Sequence, residues 1–130
     1  MKTNRANDLT KAVIQYLSLN GWKVWRYNNV GVWDAKKGVH RKSKMTLKGV
    51  PDVIGFHKTT GIFGGFEIKV GKDRLSPEQK QFLDELESAN GIGLVIRDEI
   101  GDLIRLYKEA LKVHPRGDEL RKTIRIFYIE

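Results

Sequence analysis

Two short apolar runs, Gly49-Val50-Pro51-Asp52-Val53-Ile54-Gly55-Phe56 and Gly65-Phe66-Glu67-Ile68-Lys69, constrain this chain more than any other feature. Each is rich in Val, Ile or Phe and bounded by Gly or Pro, as strands are, and residues 57–61 between them supply turn chemistry. A β-hairpin is predicted. Side chains alternate along a strand, so Glu67 and Lys69 share one face while Phe66, Ile68 and Val70 enter a core on the other. Pairing the strands brings Asp52 to the same end. Two carboxylates held close together repel unless something positive sits between them, and a divalent metal is the economical answer. Oxygen donors in a chain without cysteine favour a hard ion, Mg²⁺ or Mn²⁺, completed by water and substrate phosphate.

Pro51-Asp52 followed by Glu67-Ile68-Lys69 resembles the signature of the PD-(D/E)XK nuclease superfamily, and Leu75-Ser76-Pro77-Glu78-Gln79 just downstream looks like its VRR-NUC branch, which includes small stand-alone viral and bacterial nucleases. The resemblance runs from about Asp8 to near Lys112, within one domain whose residues 113–130 form a C-terminal extension. It implies an α/β fold with a restriction-endonuclease-like core, a mixed β-sheet flanked by helices. It also implies a metal-dependent DNA endonuclease. In that reading Asp52 and Glu67 hold the ion with help from the Ile68 carbonyl, Lys69 orients water or stabilises charge on the phosphorane, and Gln79 bonds site water or phosphate. In the resembled family an acidic residue on the first helix helps hold the metal. Here Asn7-Asp8 stands where Glu is usual, so Asp8 is either an outer-site residue or a partner of the helix dipole. Stand-alone members resemble two-fold junction-resolving enzymes, which implies a homodimer acting on branched, Holliday-junction-type DNA. Flaps, duplex DNA and RNA remain alternatives, as does a non-catalytic DNA-binding or assembly module.

Charge agrees with a nucleic-acid partner. The 130 residues carry 24 Lys plus Arg against 16 Asp plus Glu, a formal charge of +8, which is the electrostatic footprint of a nucleic-acid binder as well as of an ordinary basic surface. Residues 29–48 show no sustained period and include Lys36, Lys37, Arg41, Lys42, Lys44 and Lys48, with no acidic residue after Asp34. They read as a long basic loop that either draws phosphates toward Asp52 or is simply solvated. Lys72 and Arg74 are further phosphate candidates. Zero cysteines exclude disulfides, thiolate metal sites and cysteine nucleophiles. No apolar run reaches the ~18 residues of a membrane span, and no signal-peptide core opens the chain. The expected location is the cytoplasm, that of the host for a viral chain.

Helical spacing of Leu9, Val13, Tyr16 and Leu17 predicts a first helix over residues 7–20, stopped by Gly21. Residues 22–28 alternate as a strand with aromatics on both faces; Trp22 and Trp25 are core, interface or base-stacking candidates. Ser76 as N-cap, Pro77 at the first position and Gln79 three residues on make a capping box. That gives Gln79 a structural reading beside the functional one. Phe82, Leu83, Leu86 and Ala89 continue this helix to Gly91. Residues 92–97 form a buried strand, Ile100, Leu103, Ile104, Tyr107 and Leu111 a helical stripe, residues 114–118 a break, and residues 123–129 a last strand, apolar on both faces, that extends the sheet or meets a partner.

Overall fold

The computed structural model describes residues 4–27, 32–41 and 47–125. Helix α1 (Asn4–Leu19) leads into β1 (Trp22–Arg26), and a small hairpin of β2 (Val32–Asp34) and β3 (Val39–Arg41) follows. Then come β4 (Val53–His57), β5 (Phe63–Lys69), α2 (Pro77–Ser88), β6 (Ile92–Arg97), α3 (Ile100–Val113) and α4 (Gly117–Arg121). Four strands make one mixed sheet in the order β1-β4-β5-β6, antiparallel except for the parallel β5–β6 pair. A parallel pair needs a crossover, and α2 provides it. The expected α/β architecture, including the β4–β5 hairpin, is present.

The two faces of the sheet are built differently. On one, Leu9, Val13, Tyr16 and Leu17 of α1 and Leu103, Tyr107 and Leu111 of α3 close over Trp22, Phe66, Ile68 and Ile96. Each such side chain taken fully out of water stabilises the fold by roughly 1.5–3 kcal/mol. Trp22 meets Phe66 edge-on with ring centroids 5.6 Å apart, and its indole N–H donates to the Tyr107 hydroxyl at 2.9 Å. Burial pushes the Tyr107 phenol up to about 12. The other face receives α2, whose Leu83 and Leu86 rest on a floor made by Gly65 and its register partner Gly93. A Cβ on Gly65 would lie 2.8 Å from Pro51, and one on Gly93 would lie 3.1 Å from Leu83. The missing side chains let α2 sit close to the strand backbone.

Three segments differ from expectation. Residues 29–48 contain the β2–β3 hairpin, paired Val32↔Arg41, Trp33↔His40 and Asp34↔Val39, where the sequence reads as a loop. Strands of three residues are too short to leave a periodic signal. At the other end, a short helix α4 precedes the predicted strand 123–129, of which Thr123 lies in a turn and Ile124 and Arg125 lie outside any strand; residues 126–129 lie outside the described residues. The Pro115–Gly117 break is real, but Gly117 itself opens α4 and sits so tightly on the Leu111 carbonyl that no Cβ fits. Finally, α2 turns at Asn90, which adopts φ 64°, one residue before the expected stop at Gly91. The Gly91 N–H bonds the Leu86 carbonyl at 2.8 Å and the Asn90 N–H bonds that of Glu87 at 3.0 Å, a Schellman closure. Gly91 is needed there for space against Leu86.

His57, the last residue of β4, is buried and ties the hairpin turn to the end of the described chain. Its Nδ1 accepts the Thr60 N–H at 3.3 Å and lies 2.9 Å from the Thr60 hydroxyl. Nε2 lies 2.7 Å from the Thr123 Oγ1, and that hydroxyl donates to the Leu120 carbonyl at 2.8 Å. With Nδ1 accepting and the Thr123 hydroxyl proton already spent, the ring is neutral and carries its proton on Nε2. Burial first, then Arg116 and Lys58, hold its pKa below the ordinary range against the opposing Glu119. The unfolded chain therefore takes up this proton more readily than the native one. Stability is fully present above the unfolded value of about 6.5 and is lost as pH falls through the lower native value. The melting temperature is expected to drop between pH 7.5 and 5, and His57→Gln to flatten that dependence. Calorimetric or circular-dichroism melts of both proteins check it.

Candidate active site

The β4–β5 register pairs Val53 with Phe66, so one step further along the hairpin Asp52 stands against Glu67. Asp52 is held from both sides. Its carbonyl accepts the Tyr27 N–H at 2.8 Å, continuing the β1–β4 ladder, and its carboxylate Oδ2 accepts the Ile68 N–H at 2.8 Å. Ile68 lies past the last paired residues of β4, so its amide would otherwise have no strand opposite. In a strand the N–H and C=O of one residue leave on the same edge, so the Ile68 carbonyl is directed along the Asp52 side.

Glu67 and Lys69 follow on the α2 face and are only 1% and 6% exposed. Between them reaches Gln79 from the first turn of α2. Its Oε1 accepts the Lys69 ammonium at 3.1 Å and its Nε2 donates to Glu67 Oε1 at 3.3 Å. The same Oε1 accepts the Ser76 N–H at 2.8 Å, while the Gln79 N–H donates to Ser76 Oγ at 3.1 Å. The capping box is thus complete, as its structural reading expects, and the Ser76 N–H that bonds Oε1 fixes the amide between two charged side chains. Gly49, at φ 79°, presses its backbone against Glu78 and Gln79 where a Cβ would collide. The glycine ahead of Pro51-Asp52 is there for that close approach.

The remaining candidates are dispersed. Asp8 is exposed on α1, which packs on the opposite face of the sheet from α2. Because α1 begins at Asn4 its first turn holds no acidic residue, so Asp8 does not fill the dipole role. Lys36 and Lys37 are exposed at the tip of the β2–β3 hairpin, Lys48 is exposed on the approach to Pro51, and Lys72 and Arg74 are exposed on the turn after β5. Arg41 ends β3; Lys42 and Lys44 lie outside the described residues. Trp22 is core, 1% exposed, and unavailable to a partner, whereas Trp25 is 44% exposed. One cation escapes a sequence reading. Arg97 pairs with Lys69 across β5–β6, which puts it on the site face, and nothing local to either strand announces a parallel register.

With this geometry in place the family comparison is decisive: the model of the VRR-NUC domain matches residues 32–97, just over half of the 130. The chain belongs to the VRR-NUC family. The matched span runs from β2 to β6 and contains Asp52, Glu67, Lys69 and Gln79. VRR-NUC domains are a branch of the PD-(D/E)XK superfamily, so the four-stranded sheet is its restriction-endonuclease-like core and this is a nuclease domain with DNA the implied substrate. A comparison with curated proteins finds no match. Among the described residues no helix is long and apolar enough to cross a membrane.

The double use of Gln79 is separable by mutation. Ser76→Ala removes the hydroxyl half of the cap, keeps the Ser76 N–H that holds the Gln79 amide, and is expected to lower stability by about 1 kcal/mol with the nuclease rate at saturating DNA little changed. Gln79→Leu is expected to lower that rate at least tenfold, because Lys69 loses an acceptor and Glu67 a donor. Melting curves and single-turnover cleavage of the two variants, side by side, make the check; equal rates for both would assign Gln79 to the cap only.

Proposed function

We propose that this VRR-NUC domain is a metal-dependent DNA endonuclease that hydrolyses phosphodiester bonds with Asp52, Glu67 and Lys69, prefers branched DNA and works as a homodimer. The observation that supports it is the juxtaposition of two carboxylates, in register on adjacent strands, with a buried ammonium held by an amide that also bonds one of the carboxylates. A donor set of carboxylate oxygens with the Ile68 carbonyl on the same edge fits a hard divalent ion, Mg²⁺ or Mn²⁺, and fits a soft one poorly. Bound by Asp52, Glu67 and the Ile68 carbonyl, such an ion supplies Lewis-acid chemistry: it draws charge from phosphate oxygens and makes water more acidic.

The chain's own residues do the rest. Lys69 presents an ammonium from a nearly buried stem, where charge is screened weakly, and stabilises the negative charge that builds on the phosphate as the attacking oxygen bonds to phosphorus. Gln79 keeps that ammonium from drifting onto Asp73, whose carboxylate lies 3.9 Å away and more than half exposed. Asp52 orders the Ile68 peptide and thereby the strand end on which the other groups stand. The competing reading, a binder without turnover, has no use for a buried Glu67–Lys69 pair, since burying two charges is expensive and adds nothing to a surface that grips phosphates.

Paired cuts in a four-way junction need two sites related by a two-fold axis. The exposed Trp25 offers material for a contact between copies.

Asp52→Ala or Glu67→Ala is expected to abolish cleavage with DNA binding intact or slightly tighter, because removing a negative charge relieves repulsion of phosphate. Lys69→Ala is expected to bind metal, seen by calorimetry, yet cut on the order of 10² more slowly. Wild-type rates in any of the three would refute the assignment. Substrate and assembly are read together by light scattering and by a panel of junction, flap and linear duplex DNA and single-stranded RNA, each with Mg²⁺ or EDTA. Paired incisions in the junction by a dimer are expected; a monomer cutting linear duplex equally fast overturns the junction preference and leaves the nuclease reading standing.

A further inference from the structure

The turn that follows β5 is built more rigidly than an exposed loop of four residues requires. Gly71 takes φ 58° and the Asp73 N–H closes on the Val70 carbonyl at 3.1 Å. The whole turn is then clamped to the end of β6. Asp98 donates its own N–H to the Lys69 carbonyl at 2.9 Å and accepts the Gly71 N–H on Oδ1 at 2.7 Å. The same oxygen accepts Arg5 of α1 at 2.8 Å. To do this Asp98 adopts φ 69°, a left-handed conformation in which Asp is enriched but still uncommon. From the other side Arg97 donates Nη1 to the Gly71 carbonyl at 3.0 Å, which lays its guanidinium over the turn and spends one of its five N–H donors.

Beside the turn lies an open, shallow cleft of ≈ 310 Å³ lined by Gly71, Lys72, Asp73, Arg74 and Arg97. Three of the five are cations. The one carboxylate, Asp73, faces the Lys69 ammonium at 3.9 Å, so the cleft retains a positive balance. It also starts two residues after Lys69, and Arg97 is the register partner of Lys69. A basic cleft that begins where the active site ends suits a second phosphate on the same strand.

We propose that Lys72, Arg74 and Arg97 form a subsite for a backbone phosphate next to the scissile one, and that Asp98 is a positioning residue that holds its floor. This rests on the nuclease reading. The subsite sets where the strand lies relative to Lys69 and takes no part in bond breaking. Arg97, with a planar fork of donors, is the directional contact, and Lys72 and Arg74 supply charge.

The test is binding of a four-way DNA junction in EDTA, where no cleavage occurs, over a salt series, using wild type, Arg97→Gln, the Lys72→Gln/Arg74→Gln pair and Asp98→Ala. On the duplex arms each lost contact is expected to flatten the slope of log affinity against log salt by about 0.9. The DNA is then scanned with a single neutral methylphosphonate linkage. In wild type one linkage, beside the scissile position mapped by cleavage of the unmodified junction, is expected to weaken binding. In Arg97→Gln that linkage is expected to have no effect beyond the mutation itself. Asp98→Ala is expected to blur the scan over neighbouring linkages, and Asp98→Asn, which tolerates the same φ and keeps an acceptor for Gly71, to restore it. Unchanged salt slopes, or an Arg97→Gln scan identical to wild type, overturn the subsite whether or not the protein cuts. Should Asp98→Ala fail to fold, the Arg97 and Lys72/Arg74 scans decide alone. A wild type that binds as expected but never cuts with Mg²⁺ or Mn²⁺ would refute the nuclease reading and, with no scissile position left to adjoin, the proposed place of the subsite.

Discussion

Glu67 and Lys69 are charged groups taken almost completely out of water on one strand, and the fold around them answers to that burden. Removing an ion from water costs several kcal/mol even after the protein relaxes, and attraction to a neighbour of opposite sign often fails to recover it. The Gln79 amide changes the balance by giving the ammonium an acceptor and the carboxylate a donor through one planar group. An amide can do this only if its own direction is fixed. The Ser76 N–H, bonded to the same oxygen, fixes it, which in turn requires the first turn of α2 to begin at one place. Gly49 lets the Pro51-Asp52 strand approach that turn, and Gly65 and Gly93 let Leu83 and Leu86 bring the helix down onto the sheet. A sheet face paved with glycine gives up apolar contact. The core on the opposite face, around Trp22, Phe66 and Tyr107, carries the stability that this face forgoes.

That division makes one side of the sheet a scaffold and the other a workplace, and the two communicate through the strand ends. Asp52 caps the end of the β4–β5 ladder by accepting the Ile68 amide, and Asp98 does the same for the turn beyond β5. In each case a carboxylate satisfies a backbone donor at or just past a strand end; only the amide of the buried Ile68 strictly requires one. Stability set by such contacts is local. The hydrogen bonds of His57 to Thr60 and Thr123 stand on the far end of β4, five residues from Asp52, so titration of that ring acts on folding through the C-terminal segment and does not pass through the site.

How much of this is legible in the sequence depends on how far apart the cooperating residues lie. Asp52, Glu67 and Lys69 stand in two strings joined by one tight turn, and alternation along a strand suffices to put them together. Ser76-Pro77-Glu78-Gln79 is legible as a helix start for the same reason. That Gln79 also spans Glu67 and Lys69 depends on how α2 is set against the sheet, a packing distance that no local pattern encodes. Arg97 is harder still, because its register with Lys69 passes through a crossover helix. Asp98 reads as an ordinary polar residue after a strand, and its left-handed backbone becomes apparent only with its partners in view. The β2–β3 hairpin and α4 escape because strands of three residues and a helix of five are shorter than the periods that would reveal them. At Asn90 the sequence offered two residues able to take a left-handed turn in succession, and the choice fell to the one with no packing duty.

Charge placement then decides how a polyanion can reach the site. The outer side of α2 exposes Glu78, Asp84, Glu85 and Glu87 against one cation, Lys80, and a phosphate backbone laid along that helix would be repelled. Exposed cations nearer the strand ends include Lys48 before Pro51 and Lys72 and Arg74 past β5. The parallel strands β5 and β6 both end here, at Lys69 and Arg97, and α2 starts here with its positive dipole end. In an α/β sheet the carboxyl ends of parallel strands are where ligands bind, because loops there are free to vary while the strands hold position. The helix start adds amide donors and a favourable field for anions at the same corner. A net charge of +8 would attract DNA to any surface of the protein. On the proposed site, the mostly acidic face of α2 beside this corner would favour an approach in which a phosphate meets Asp52, Glu67 and Lys69.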